Sequence, residues 1–317
     1  ASLPDGVHFV GAHPIAGKEK TGVAAGTDQL FTGARCILTP TSKTNAQALE
    51  MDHWNVKAFV NWVAMHRRLG QYDRIAQLFD TYSYFSERVP DLAMLEGICL
   101  VEGGQADRGV DVYLMNAPMN RGDEGRHREL YTALTDKWLP ADLGRLAEFL
   151  KVNAGTNPRL LSMAAMLRLD IGENEAGLTL ADEALKLQPD LLDAKAQKAR
   201  AQYALGKAAE AIKLLEENLT VDVYHVPSNY WISRILALEG RDPNRAQDLA
   251  RRAVFDARHG LAEWSNLTFV YRRTGRADLS RGEALKMSRA HTGAPLPLYC
   301  LGMAFYAENK TNEAREN

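Results

Sequence analysis

From about residue 56 onward, apolar residues recur at helical spacing in paired segments, and a glycine separates the two members of most pairs. The intervals between these glycines are 34, 68, 34, 34 and 35 residues, for Gly70, Gly104, Gly172, Gly206, Gly240 and Gly275. Trp138 falls midway in the double interval, and one more step leads to Asn309. A helix that stops and reverses direction favours Gly or Asn, which tolerate positive φ. The pattern predicts eight helical hairpins in one register, and we call these eight positions the hinge residues.

Two further positions follow the same register. Five residues after the hinge the side chain is small, as at Gly109, Gly177, Ala211, Ser280 and Ala314, and Ala246 fits after a one-residue insertion that also lengthens the next interval. Prolines lie fourteen residues before the hinge at Pro90, Pro158 and Pro295, with Pro227 one residue away. Small residues permit close helix contact and proline is accepted in a first helical turn, so each hairpin has a predicted start, hinge and crossing point.

The segments RLGQYDRIAQLFD (68–80), ALGKAAEAIKLLEENL (204–219) and AEWSNLTFVYRRTGR (262–276) resemble tetratricopeptide repeats, and the resemblance extends from about residue 56 to 317. It implies an all-α fold, an α-solenoid of about eight hairpins, in which Trp264, Leu267 and Tyr271 are core residues. The segment 138–150 has no hinge glycine. Residues 116–157 are therefore either a distorted repeat or a longer connection.

Residues 1 to about 50 lie outside the repeat register. GVHFVGAHP is a short β-type run, GVAAGTDQLF (22–31) is compatible with a helix, and ARCILTPT (34–41) is a second β-type run. The order predicts a short α/β fragment, strand–helix–strand, that precedes the repeats. We divide the chain into residues 1–51 and a repeat array at 52–317.

The same N-terminal segment carries a specific motif. His13, Pro14, Gly17, Glu19 and Gly22 form HPxxGxExxG, and LFxG and ILTPT follow. Residues 11–41 resemble the end of the nucleotide-binding domain of prephenate dehydrogenase, an NAD- or NADP-dependent oxidoreductase of tyrosine biosynthesis. The resemblance implies that His13 bonds the ring hydroxyl of the substrate and that Glu19 is a neighbouring polar group in the substrate site.

The rest of a dinucleotide site is not visible in the sequence, because no GxGxxG turn follows a strand. We therefore expect this chain by itself to be inert and to bind no cofactor. Three origins remain open for the segment: a longer fusion whose other part precedes Ala1, a rearranged or joined sequence, or a decayed remnant.

In tetratricopeptide repeats the first helix of each hairpin lines the concave groove. In this chain those positions combine guanidinium and aromatic groups: Arg67, Arg68, Arg200, Tyr203, Tyr230, Arg234, Phe269, Arg272, Arg273, Tyr299 and Tyr306. Such a surface suits an extended acidic or aromatic-containing peptide, through charge-assisted hydrogen bonds and stacking. The alternative is that the arginines are simply solvated and have no particular ligand.

Composition narrows the functions further. A formal net charge of -2 argues against a nucleic-acid binder driven by bulk electrostatics. The three cysteines are widely separated and the eight histidines form no HxH or HExxH pair, so we expect no metal site. No run of 18 apolar residues occurs, so we expect no membrane span. We expect a cytoplasmic location. The sequence predicts a protein-interaction scaffold without chemistry of its own. The alternative is a fragment or fusion of a prephenate dehydrogenase.

Overall fold

A computed structural model describes residues 11–15, 35–39, 56–117, 124–137, 139–257, 260–291 and 295–308. The chain divides into two compact units, residues 1–120 and 121–317. The predicted boundary at 51/52 rests on the end of the sequence resemblance and stays a prediction.

Two short strands are described near the N-terminus, β1 (Gly11–Ile15) and β2 (Arg35–Thr39). They pair antiparallel, with Gly11 opposite Thr39 and Ile15 opposite Arg35. The predicted helix at 22–31 lies outside the described residues. The predicted strand–helix–strand fragment is therefore not supported as a unit, because an antiparallel strand pair alone does not make the helix-covered sheet of an α/β domain.

The first unit contains five described helices: α1 (Val56–Arg68), α2 (Tyr72–Thr81), α3 (Ser83–Arg88), α4 (Pro90–Glu102) and α5 (Ala106–Asn116). Helices α1 and α2 form one hairpin, α4 and α5 form another, and the short α3 lies between them. An aromatic core joins α1 to α2 and α3, because the ring of Phe59 lies 5.1 Å from that of Phe79 and 4.8 Å from that of Phe85.

The second unit contains eleven described helices: α6 (Glu124–Asp136), α7 (Pro140–Asn153), α8 (Pro158–Asp170), α9 (Asn174–Leu187), α10 (Leu192–Ala204), α11 (Ala208–Val221), α12 (Val226–Glu239), α13 (Pro243–Asp256), α14 (Leu261–Arg273), α15 (Ala277–Ala290) and α16 (Pro295–Ala307). Each helix packs against the next one in the chain. The predicted core residues Trp264, Leu267 and Tyr271 are buried. The second unit is thus a series of stacked helical hairpins.

The hinge glycines adopt the predicted backbone conformation. All six have positive φ, between 64° at Gly70 and 90° at Gly104. The residue after each hinge donates its N–H to the carbonyl five residues earlier, as Lys207 does to Gln202 at 2.8 Å. This bond closes a helix end whose last carbonyls would otherwise lack donors.

The repeat that has no hinge glycine also forms a hairpin. Leu139 donates its N–H to the carbonyl of Leu134 at 3.1 Å, which is the same bond in the same register. Helices α6 and α7 lie on the two sides of this turn and pack together. Residues 116–157 therefore contain a repeat, and the longer connection is excluded.

The remaining register positions behave as predicted where they are described. Pro90, Pro158 and Pro295 each begin a helix, and Pro227 is the second residue of α12. The small residues Ala211, Ala246 and Ser280 are buried. Asn309 and Ala314, which belong to the eighth hairpin, lie outside the described residues.

Candidate functional site

The first helices of successive hairpins in the second unit contact one another in the order α8, α10, α12, α14 and α16. Except for Arg273, which lies two positions before its hinge, the predicted binding residues of this unit lie ten, six and three positions before the hinge, and this spacing places them on one side of a helix. Tyr230 and Tyr299 occupy the first position, Arg200, Arg234 and Phe269 the second, and Tyr203, Arg272 and Tyr306 the third. We call this surface the first-helix face.

Arg200, on α10, is tied to the protein itself. Its guanidinium lies 2.7 Å from the carboxylate of Asp170, and both side chains are mostly buried, at 15% and 18% exposure. The guanidinium carbon also lies 4.9 Å from the centre of the Trp231 ring. A bonded carboxylate and an aromatic ring together neutralise and position this arginine.

Arg234 and Arg272 are arranged differently. Their guanidinium carbons lie 4.4 Å and 5.6 Å from the centre of the same ring, that of Phe269. Arg234 donates one further hydrogen bond, 3.3 Å long, to the side-chain oxygen of Asn266. Among the described residues, neither arginine forms an ion pair with a carboxylate. Two half-buried positive charges therefore share one aromatic ring without an internal anion.

Three phenol groups lie near Arg200 or Arg234. Burial raises the pKa of Tyr203 and of Tyr230, and the pKa of Tyr131 on α6 is raised by burial and by the neighbouring Asp170 carboxylate. The phenols therefore keep their protons at neutral pH. Tyr203 and Tyr230 can donate hydrogen bonds to a carbonyl or carboxylate of a bound chain, whereas the phenol of Tyr131 is directed to Asp170.

The last predicted residues of this face are the most accessible ones. Tyr299 and Tyr306 on α16 are 60% and 65% exposed. Arg273, also exposed, donates to the carbonyl of Leu238 at 3.4 Å. The face thus changes along the hairpins from a neutralised arginine, through an unpaired arginine couple, to two exposed phenol rings.

Two important neighbours were not among the predicted site residues. Asp170 lies 30 residues before Arg200, and Trp231 lies 31 residues after it. Trp231 is next to Tyr230, which was predicted, and occupies the position nine residues before its hinge. The signal that could have found both is the register itself, because residues about one repeat apart lie on adjacent first helices.

The other two predicted groove arginines belong to the first unit. Arg67 makes a bidentate pair with Glu102, with hydrogen bonds of 2.7 Å and 2.5 Å. Arg68 is exposed. Arg67 therefore joins α1 to α4, and this role accounts for its position without a ligand.

The predicted catalytic residues are only partly covered by the structure. His13 lies in β1 opposite Ile37 of β2, and Glu19 lies outside the described residues. Across the ranges that the structure describes, no cluster of His, Cys, Asp and Glu is arranged to hold a metal ion. None of the helices in those ranges has the length and hydropathy needed to span a bilayer.

The stacked hairpins give the second unit the fold of a helical-repeat protein, and the fold is similar to that of tetratricopeptide repeat proteins. The solved structures that it resembles are such proteins. One, from Thermus thermophilus, is 17% identical, with a TM-score of 0.50 and coverage of 59% of this chain and 98% of the other. Another, from Parabacteroides merdae, is 13% identical, with a TM-score of 0.45 and coverage of 71% of this chain and 89% of the other. The predicted tetratricopeptide resemblance is confirmed at the level of fold.

The N-terminal segment matches a different family. Residues 1–60 match the family model described as prephenate dehydrogenase, nucleotide-binding domain. The prephenate dehydrogenase of Bacillus subtilis is 54% identical over 48 residues, which are 15% of this chain and 13% of that protein. The resemblance predicted from the HPxxGxExxG motif is thus confirmed, and it concerns a small part of both proteins.

Proposed function

We propose that the second unit is a protein-interaction module that binds an extended segment of a partner protein along the first-helix face. The observation that carries this proposal is the stripe of guanidinium and aromatic groups on four successive first helices, from Arg200 on α10 to Tyr306 on α16. Rings and guanidinium groups contact many peptide chemistries with little loss of conformational freedom. No step of bond making or breaking is assigned to these residues.

The chemistry of the face favours an acidic segment with aromatic side chains. Arg234 and Arg272 offer donors to carboxylates, and the exposed rings of Tyr299 and Tyr306 offer stacking surfaces. A ligand rich in Lys or Arg would meet like charges at the centre of the face. We therefore propose an acidic peptide as the ligand class.

The test places a photoreactive benzoylphenylalanine at Phe269 and exposes the protein to a pool of capped peptides rich in Glu, Tyr and Phe. A matched control carries the same group at Phe255, which is 76% exposed but lies on α13, a second helix. The proposal expects saturable cross-linking at position 269 and only background at position 255. Cross-linking at 255 alone, or none at 269, would contradict it.

A second candidate function rests on the match of residues 1–60. Under it, the N-terminal segment contributes His13 and Glu19 to an NAD- or NADP-dependent prephenate dehydrogenase. The ten described residues within 1–51 form an antiparallel strand pair and include no glycine-rich phosphate-binding turn, so they do not fit a dinucleotide by themselves. No catalytic step is derived from them.

The enzymatic candidate is tested by titrating NAD and NADP into the chain while following nicotinamide fluorescence, together with an assay of prephenate turnover. A His13→Asn variant is the control, since it removes the proposed catalytic imidazole without enlarging the side chain. Saturable cofactor binding with turnover that His13→Asn abolishes would establish this function. Absence of both signals would reject it for this chain.

A further inference from the structure

We propose that Arg234 and Arg272 together bind one carboxylate side chain of the partner segment, and that an aromatic residue about three positions away in the segment packs on Tyr299 and Tyr306. This inference rests on the proposed peptide-binding function and adds the ligand's motif to it. Phe269, on α14 with Arg272, has its ring beside both guanidinium groups. The order of recognition along the face is carboxylate, then aromatic ring.

The charge balance of the face singles out this arginine pair. Arg200 is neutralised by Asp170, and Arg67 in the first unit is neutralised by Glu102. Glu239, near the end of α12, is bound to Arg241 at 3.0 Å. Within the described ranges Arg234 and Arg272 have no such partner. A half-buried guanidinium gains more from a carboxylate than an exposed one does, because less water screens the pair.

The Phe269 ring also positions the guanidinium groups of Arg234 and Arg272 before a ligand binds. Each guanidinium carbon lies within 5.6 Å of the Phe269 ring centre, so the two are at most about 10 Å apart, close to the Debye length in physiological salt. A carboxylate bonded to one guanidinium therefore feels the field of the other. Ring contacts and the hydrogen bond from Arg234 to Asn266 restrict the side chains before binding, which reduces the entropy lost on association.

The spacing of the motif follows from helix packing. Neighbouring first helices lie roughly 8–10 Å apart, and an extended chain advances about 3.3–3.6 Å per residue. One step along the face therefore corresponds to roughly three residues of ligand. Arg272 on α14 lies one such step from Tyr299 and Tyr306 on α16, whose side chains are more than half exposed, and Arg234 on α12 lies one step further away.

The test uses fluorescent, capped Gly/Ser peptides that carry one Glu and one Phe about three positions apart, in both orders, with binding measured by anisotropy. Parallel peptides replace Glu by Gln, replace Glu by phosphoserine, or change the spacing. The protein variants are Arg234→Gln and Arg272→Gln. Arg245→Gln is the matched control, since this exposed arginine on α13 pairs with Glu216 away from the face. Circular dichroism checks that every variant keeps its helices.

The proposal expects the Glu peptide in one of the two orders to bind at least about tenfold more tightly than its Gln counterpart. Either arginine variant should abolish this preference, and Arg245→Gln should keep it. Equal binding of Glu and Gln peptides, or a preference that survives both variants, would overturn the motif while leaving peptide binding intact. Binding of the phosphoserine peptide but not the Glu peptide would replace the carboxylate by a phosphate. Failure of every peptide to bind the unaltered protein would overturn the proposed function and the motif with it.

Discussion

Gly97 on α4 and Gly109 on α5 cross with their backbones in direct contact. A Cβ added to Gly97 would lie 2.6 Å from the carbonyl oxygen of Gly109, and one added to Gly109 would lie 2.5 Å from the carbonyl oxygen of Gly97. The obstacle at each position is backbone, which cannot rotate away as a side chain can. This contact sets how closely the two helices of the hairpin approach, and it explains the small residue predicted five positions after the hinge.

We predict that Gly97→Ala and Gly109→Ala each lower the free energy of unfolding by about 1–3 kcal/mol, because the helices must separate to admit the methyl group. Urea denaturation followed by circular dichroism measures this change. Gly282→Ala on α15 is the control, since an added Cβ there meets no atom within 4 Å and replaces a glycine inside a helix. It should raise stability by roughly 0.5–1 kcal/mol. Destabilisation by the control and not by the crossing variants would contradict the packing.

Some features were predictable because they depend on the local chain. A reversal that needs positive φ selects glycine at that residue whatever lies around it, so Gly172 and Gly206 could be placed from their spacing. Position 138 holds Trp in place of the hinge glycine, and the sequence could not distinguish a distorted repeat from a connection there. The backbone bond from Leu139 to Leu134 made the distinction.

The electrostatic state of the face was not predictable in the same way. The sequence places Arg200 and Arg234 at equivalent positions of consecutive repeats, yet one is neutralised and the other is not. The difference arises from Asp170, which reaches Arg200 only because successive first helices stack. The register indicates which residues lie on adjacent first helices, but whether two of their side chains meet depends on side-chain reach between neighbouring repeats, which the register does not contain.

The hinge conformation gives a second prediction. At Gly172, where φ is 85°, alanine would place its Cβ against the following carbonyl, so Gly172→Ala should destabilise the protein by about 1–2 kcal/mol. Gly172→Asn should cost less, since Asn tolerates positive φ. Thermal unfolding of the two variants side by side measures the difference. Equal effects would contradict backbone strain as the cause, since an added Cβ at Gly172 meets no atom within 4 Å.

An acid-sensitive contact joins two neighbouring hairpins. The Nε2 of His225 lies 3.2 Å from the carboxylate of Asp193, and its Nδ1 lies 2.8 Å from the hydroxyl of the buried Ser228. The hydrogen bond to His225 lowers the pKa of Asp193. A carboxyl group with a lowered folded-state pKa adds stability above its unfolded pKa of about 4, and that contribution disappears as the pH falls through the folded-state value.

We therefore predict that at neutral pH the unaltered protein has a higher free energy of unfolding than the Asp193→Asn variant. This difference should disappear in acid, below about pH 4. The Asp193 side chain is 54% exposed, so the difference should not exceed about 1 kcal/mol. Urea titrations at several pH values measure it. Asp190→Asn is the control, because this exposed carboxylate makes no ion pair with any described residue, and its effect should not vary with pH in this way. A constant difference between the protein and Asp193→Asn would contradict the role of this pair.

Asp170 should limit how strongly the first-helix face attracts acidic peptides. One of its carboxylate oxygens holds Arg200, and the phenol of Tyr131 on α6 lies beside the same carboxylate. Asp170→Asn keeps the side chain's shape but removes the negative charge, so Arg200 becomes a third available cation beside Arg234 and Arg272. We predict about two- to tenfold tighter binding of the Glu peptide, with a steeper loss of affinity as salt increases.

The same substitution should lower the free energy of unfolding by about 1 kcal/mol, because a charge-assisted hydrogen bond between two mostly buried groups is weakened. Anisotropy titrations at low and high salt measure the first effect, and urea denaturation measures the second. Asp278→Asn is the matched control, since it removes an exposed carboxylate paired with Arg276 on α15 and should change neither affinity nor salt dependence. If Asp170→Asn lowered stability and left affinity unchanged, Asp170 would serve only to hold Arg200, and the charge of Arg200 would have no part in binding.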